Sequence, residues 1–113
     1  MSALHFDEVA LDADALIGAP NRGFHIMMSV LDKGRAGIAA LAVGIAQAAL
    51  EAALDYAQTR RQFGKPIVEN QGIQWLLADM AKDIHAARLL VHDAAARLDA
   101  GARATAACSM AKC

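Results

Sequence analysis

The sequence is poor in the residues that staple or punctuate small domains. It has two cysteines and two prolines, and its aromatic residues are one Trp, one Tyr and three Phe. Cys108 and Cys113 lie close together at the C-terminal end, without His or acidic residues at ligand spacing. That pattern indicates neither a zinc site nor a disulfide framework, and the expectation is reduced thiols in a cytoplasmic protein with no bound metal. An excess of one charge is missing too. The formal net charge is -1 and the basic residues form no long block, which leaves no electrostatic footprint for nucleic acid or for an anionic membrane. The opening MSALHFDEVALDADAL lacks the basic start and continuous apolar run of a signal peptide. The longest apolar stretch, Ile38 to Leu54, is broken by Gln47 and Glu51 and runs into Asp55. It reads as a soluble helix, not a bilayer span.

What is present is alanine, the commonest residue, and with it an apolar content spread over small side chains. A chain of 113 residues makes one domain at most, and a chain of this size buries only about 60 to 70 per cent of its unfolded surface. A partner surface is therefore expected. From Leu4 to Leu16 apolar Phe6, Val9 and Leu11 alternate loosely with Asp7, Glu8, Asp12 and Asp14, which predicts one short extended segment. Such a strand has no mate in this chain and leaves its backbone groups unpaired, a sign of missing sequence. Gly18, Pro20, Asn21 and Gly23 end it in a turn.

Helix follows. No proline occurs from Phe24 to Arg61. Gln47, Glu51 and Asp55 recur every fourth position, and Leu41, Ile45, Ala48, Ala49, Ala52 and Tyr56 form the opposite, apolar stripe. Arg35 to Arg61 alone would reach roughly 40 Å. Gln62 to Pro66 breaks the helix through Gly64 and Pro66. A second helix is expected from Asn70 as N-cap, with Ile73, Leu77, Met80, Ile84, Ala87, Val91, Ala94 and Leu98 spaced alternately by four and three. Gly101 marks a turn before a third helix over Ala102 to Lys112. The fold class is all-α: an antiparallel bundle or hairpin of two long helices plus part of a third.

Few residues invite chemistry. Arg60-Arg61-Gln62-Phe63-Gly64 has an ordinary reading as dipole compensation and capping at a helix C-terminus. Its sharper reading is an anion site, with planar guanidinium forks for phosphate and the Phe63 ring for a heterocycle. Asp32 could cap the first helix and Arg35 be a solvated charge of its first turn. His25, His85 and His92 read as surface or packing residues; Met27, Met28 and Trp75 read as packing residues near a junction or a helix interface.

Order and spacing carry more than any one residue. Leu31-Asp32-Lys33-Gly34-Arg35, Gly44-Ile45-Ala46-Gln47 with Ala49-Leu50, Tyr56-Ala57, Arg60 through Ile67, Gln71 with Ile73-Gln74, and Leu77 through Ala81 together resemble the acyl-CoA dehydrogenase family. Ser109-Met110-Ala111-Lys112 looks like the start of that family's next helix. Phe6-Asp7, Val9, Gly18 and Gly23-Phe24 resemble the exit from its middle β-domain. The resemblance implies that residues 1–20 are a segment left from that β-domain and 21–113 the first part of the C-terminal helical domain. It implies FAD as cofactor, whose ADP half, held by an adjacent subunit, would meet Arg60, Arg61, Gln62 and Phe63, with Asn70 and Gln71 alongside. Many members carry His where this chain has Asn70.

Asp32 and Arg35 match positions at the acyl-CoA site. The family's reaction, α,β-dehydrogenation of an acyl-CoA thioester, needs a glutamate base. Some branches place it at the position of Gly34 and others in a helix that would lie beyond Cys113, so no catalytic residue is assigned and a truncated form without activity is expected. The resemblance further implies an electron-transferring flavoprotein as partner of the whole enzyme, a homo-oligomer, and no part for nucleic acid or membrane. A reading from a different class stands beside it, a helical oligomerisation or interaction module with no catalytic task.

Overall fold

The computed structural model describes residues 2–113. Two compact units are present, one ending at Val30 and one over Leu31–Cys113. In the first, the segment expected to be extended forms no strand. Its one regular element is a 3-10 turn at Ala13–Ala15, closed by Ala15 N–H to Asp12 O at 3.0 Å. Leu4, Phe6, Val9 and Leu11 are exposed along it. The turn that follows needs its glycine, because Gly18 has φ +78° and a Cβ there would come within 2.6 Å of Ile26 Cδ1.

Free of internal proline, Gly23–Thr59 forms the long helix α1. A two-residue strand β1 (Arg61–Gln62) pairs antiparallel with β2 (Lys65–Pro66), and a 3-10 turn at Ile67–Glu69 leads into α2 (Gln71–Asp99). Helix α2 ends in a Schellman motif. Gly101, at φ +66°, donates its N–H to Leu98 O, and Ala102 N–H reaches back to Arg97 O, both at 3.0 Å. Only after this closure does α3 begin, at Thr105, and it runs to Lys112. The sequence expectation of a start at Ala102 misses the residues spent on the motif.

Within the second unit the chain doubles back, so α1 and α2 pack antiparallel. Ala36 clusters with Ala94, Ala39 and Val43 with Val91, and Ala57 lies across from Ile73 and Leu77. Helix α3 closes one end by burying Ala107 and Cys108, with Ala104 just before them, against Ala36 and Ala94. This core is made almost wholly of methyl groups, and since a buried CH2 contributes about 0.8 kcal/mol, no single contact dominates. The α2 stripe read from the sequence is the packed one except at Met80, which is exposed: Val91 and Ala94 are buried and Ile73, Leu77, Ile84, Ala87 and Leu98 half-buried.

The α1 stripe is not. Leu41, Ile45, Ala48, Ala49, Ala52 and Tyr56 are all exposed, and the row against α2 is Ala36, Ala39, Val43 and Ala57. Met27, Met28 and Trp75, read as packing residues, are exposed as well. By length and composition alone α1 is apolar enough to cross a membrane, with little of its surface covered within this chain.

Candidate functional site

At its C-terminal end α1 closes on itself: Thr59 Oγ1 donates to Asp55 O at 3.1 Å and Arg60 N–H to Tyr56 O at 2.8 Å. The last turn of α1 contains no basic residue, so Arg60 and Arg61 follow the helix instead of capping it. In the hairpin Arg61 opposes Pro66 and Gln62 opposes Lys65, and Ile67 N–H to Arg60 O at 2.9 Å ties the base. Pro66 sits where a short edge strand tolerates a missing donor. The loop is Phe63 and Gly64, with φ +52° and +80°. Two successive positive φ angles are what a type I′ hairpin turn requires.

Glycine fills its place without strain, whereas phenylalanine in this region costs of order 1 to 3 kcal/mol. Phe63 is 96% exposed, so no packing within the chain offsets that cost. Arg61 Nη2 donates to Gly64 O at 3.2 Å and Gln62 Nε2 to Arg61 O at 2.9 Å, two side chains folded onto their own turn. The Arg60 side chain forms no ion pair among the described residues. Thus Arg60, Arg61, Gln62 and Phe63 form one exposed corner. Asn70 stands at the N-cap of α2 with extended backbone, as the sequence suggests, yet its side chain does not cap. Its Nδ2 donates to Ile67 O at 3.1 Å, and Gln71 is the exposed first residue of the helix.

The second predicted pair lies elsewhere in the unit. Asp32 and Arg35 sit well inside α1, so the ordinary readings as cap and solvated first-turn charge fail for both. Arg35 Nη1 bonds Asp32 Oδ1 at 3.1 Å, with side chains 35% and 17% exposed respectively. Helix α3 joins this pair. Thr105 Oγ1 donates to Asp32 Oδ2 at 2.6 Å, and Arg35 Nη1 also donates to Ser109 Oγ at 3.2 Å. Sequence reading assigned no role to Thr105 or Ser109. A usable signal was there, since hydroxyls four apart share a helix face and match an Asp and Arg three apart on another. Between Asp32 and Arg35 stands Gly34, where an added Cβ would meet nothing within 4 Å.

Two open cavities flank the α1 and α2 seam. One of about 290 Å³ lies beside the end of α3, lined among others by Ile38, Val43, Ile84 and Cys113, and one of about 200 Å³ lies near the hairpin, lined by Tyr56, Ile67, Leu76 and Met80. Both are mainly apolar. His85 and His92 are exposed on α2. Lys82 Nζ donates to Asp79 at 2.9 Å and Arg97 Nε to Asp93 at 2.8 Å, and these hydrogen bonds to carboxylates hold both cations above their ordinary pKa values. These are exposed helix-surface pairs, away from either predicted site.

Residues 21–113 match the family of acyl-CoA dehydrogenase C-terminal domains. The chain belongs to the acyl-CoA dehydrogenase family. An acyl-CoA dehydrogenase of Bacillus subtilis is 51% identical over 109 residues, which is 96% of this chain and 29% of that protein. The structure of butyryl-CoA dehydrogenase from Megasphaera elsdenii superposes with a TM-score of 0.90 at 44% identity, over 94% of this chain and 28% of the other. CarC of Acetobacterium woodii, a subunit of a caffeyl-CoA reductase-Etf complex, is 42% identical over 111 residues, 98% of this chain and 29% of its own. The chain thus spans less than a third of the length of these relatives. Acyl-CoA dehydrogenases use FAD, and family members are found in complex with electron-transferring flavoprotein.

Proposed function

We propose that these 113 residues serve the α,β-dehydrogenation of an acyl-CoA thioester by supplying one FAD-contacting corner and part of the thioester site. The observation that carries this reading is Phe63, an uncovered ring held at φ +52° between a pair of guanidinium groups and a glycine. Strain on an exposed aromatic needs compensation from outside the chain, and an ADP group offers it. The diphosphate takes the planar forks of Arg60 and Arg61, and the adenine takes the Phe63 face. Gln62, Asn70 and Gln71 add neutral amides for the ribose and phosphate oxygens. The residues present therefore fit the ADP half of FAD, and a second copy of the chain is the expected holder of the rest of that cofactor.

At the other site, Arg35 supplies donors to the thioester and Asp32 lone pairs to amide N–H groups of the CoA arm. Bound flavin would accept the hydride, with the electrons passing on to an electron-transferring flavoprotein in the cytoplasm. The α-proton needs a base, and Asp32 is a poor one. Both of its carboxylate oxygens are already engaged, Oδ1 accepting from Arg35 and Oδ2 from Thr105, so neither is turned toward a substrate carbon. The chain by itself is expected to bind without turning over.

Titration of the purified chain with ADP and FAD tests the corner. Arg60→Ala should weaken binding roughly tenfold, the loss of one charge-assisted contact. No nucleotide affinity in the folded chain, or substrate-dependent bleaching of added flavin by an acyl-CoA, would overturn the corresponding half of the proposal. One observation favours a second reading, a non-catalytic assembly module: the exposed row Leu41, Ile45 and Tyr56 on α1. A pure assembly module would self-associate and leave ADP unbound.

A further inference from the structure

The bonds joining α1 to α3 are directional. Ser109 has one hydroxyl proton and gives it to Thr105 O at 2.8 Å, so its oxygen is left to accept from Arg35. Thr105 gives its own proton to Asp32 Oδ2. Both Nη1 protons of Arg35 are thereby spent, one on Asp32 Oδ1 and one on Ser109 Oγ. A guanidinium has five N–H donors. The three on Nε and Nη2 have no partner among the described residues, and the side chain remains about a third exposed. One edge of the fork is anchored from two helices, and the other is free to meet a planar acceptor.

We propose that Thr105 and Ser109 are positioning residues of the acyl-CoA site, fixing the Asp32 and Arg35 pair so that the free edge of Arg35 faces the acyl end of the bound thioester. This rests on the reading of Asp32 and Arg35 given above. Docking of α3 is then a condition for aiming Arg35, since without it the guanidinium keeps only an i,i+3 contact to its own helix. The two hydroxyls have separable effects. Ser109 acts on Arg35 alone, whereas Thr105 acts on Asp32 and, through it, on both the CoA arm and Arg35.

The test uses the full chain and two probes, butyryl-CoA and coenzyme A without an acyl group, followed by calorimetric titration. Ser109→Ala should weaken butyryl-CoA binding roughly three- to tenfold and leave coenzyme A unchanged; Thr105→Val should weaken both; Thr105→Ser should restore the wild-type values. In the ligand-free protein, the Arg35 Nη resonances should be slowed in the wild type and collapse in Thr105→Val and Ser109→Ala, with exposed Arg60, which forms no ion pair among the described residues, as the unrestrained comparison. Equal losses for both probes in Ser109→Ala would mean general loosening of α3 and would overturn the proposal. So would unchanged Arg35 resonances, which report even if a variant binds nothing. Wild-type protein that binds neither probe would remove the thioester reading itself, an outcome distinct from wild-type binding lost in Arg35→Ala but untouched in the two hydroxyl variants.

Discussion

Phe63 shows how a single residue can be legible in type and hidden in geometry. The sequence marks an aromatic beside two arginines and a glycine. It does not mark the left-handed backbone, because a type I′ turn is ordinarily announced by Asn-Gly or Gly-Gly. Replacing Phe63 with Asn would create that preferred pair. The expected result is a gain of about 1 kcal/mol in chain stability from the relieved turn, seen as a higher urea midpoint, together with weaker ADP binding from the lost ring. A variant that gains neither stability nor loses affinity would show that the turn is unstrained and the ring idle. Asp32 and Arg35 were marked by the family resemblance alone, since by themselves they read as a helix cap and a solvated charge. Their tie to Thr105 and Ser109 was not, since it depends on where α3 docks after the Schellman closure.

Among the elements, both long helices were legible as helices, but the apolar stripe marks the packed face of α2 and not that of α1, for one physical reason. Helix α2 has a single dense apolar row at alternating spacings of four and three, so periodicity identifies its packed face. Helix α1 has two. One row, Ala36, Ala39, Val43 and Ala57, is small and covered; the other, Leu41, Ile45 and Tyr56, is larger and open, and the polar row of Gln47, Glu51 and Asp55 lies to one side of both. Size drew the reading to the row that is bare in this chain. Across the covered seam, Arg88 Nη2 bonds Gln47 Oε1 at 2.8 Å and Gln47 Nε2 bonds Glu51 Oε1 at 2.8 Å, a relay that marks the border of the polar row. Gly44 lies in the helix interior with nothing within 4 Å of an added Cβ. Gly44→Ala should therefore stabilise the chain by about 1 kcal/mol, the propensity difference alone, and thermal unfolding by circular dichroism will report it.

For the whole molecule, the excess of exposed apolar side chains argues for assembly. Leu41, Ile45, Tyr56, Trp75 and Leu76 all remain more than half exposed, and patches of that kind on helices are interaction surfaces. Introducing Leu41→Glu together with Ile45→Glu should shift the chain from an associated species to a monomer in sedimentation velocity while leaving helicity unchanged. If the wild type is already monomeric at high concentration, the open row serves another partner. The all-α class and the antiparallel hairpin were legible because proline, glycine and apolar spacing act locally. The two-residue strands and the 3-10 turn at Ile67–Glu69 were not, since they arise from the fit of a short connection between two helices.

The seam of alanines between α1, α2 and α3 inverts the usual pattern of fragility. Where most interiors fail when a large side chain is trimmed, here there is almost nothing to trim. Ala94, with no accessible surface, leaves room for only the smallest change, and an extra methylene must push two rods apart along their length. Drift toward bulk, not loss of it, is what this chain cannot absorb.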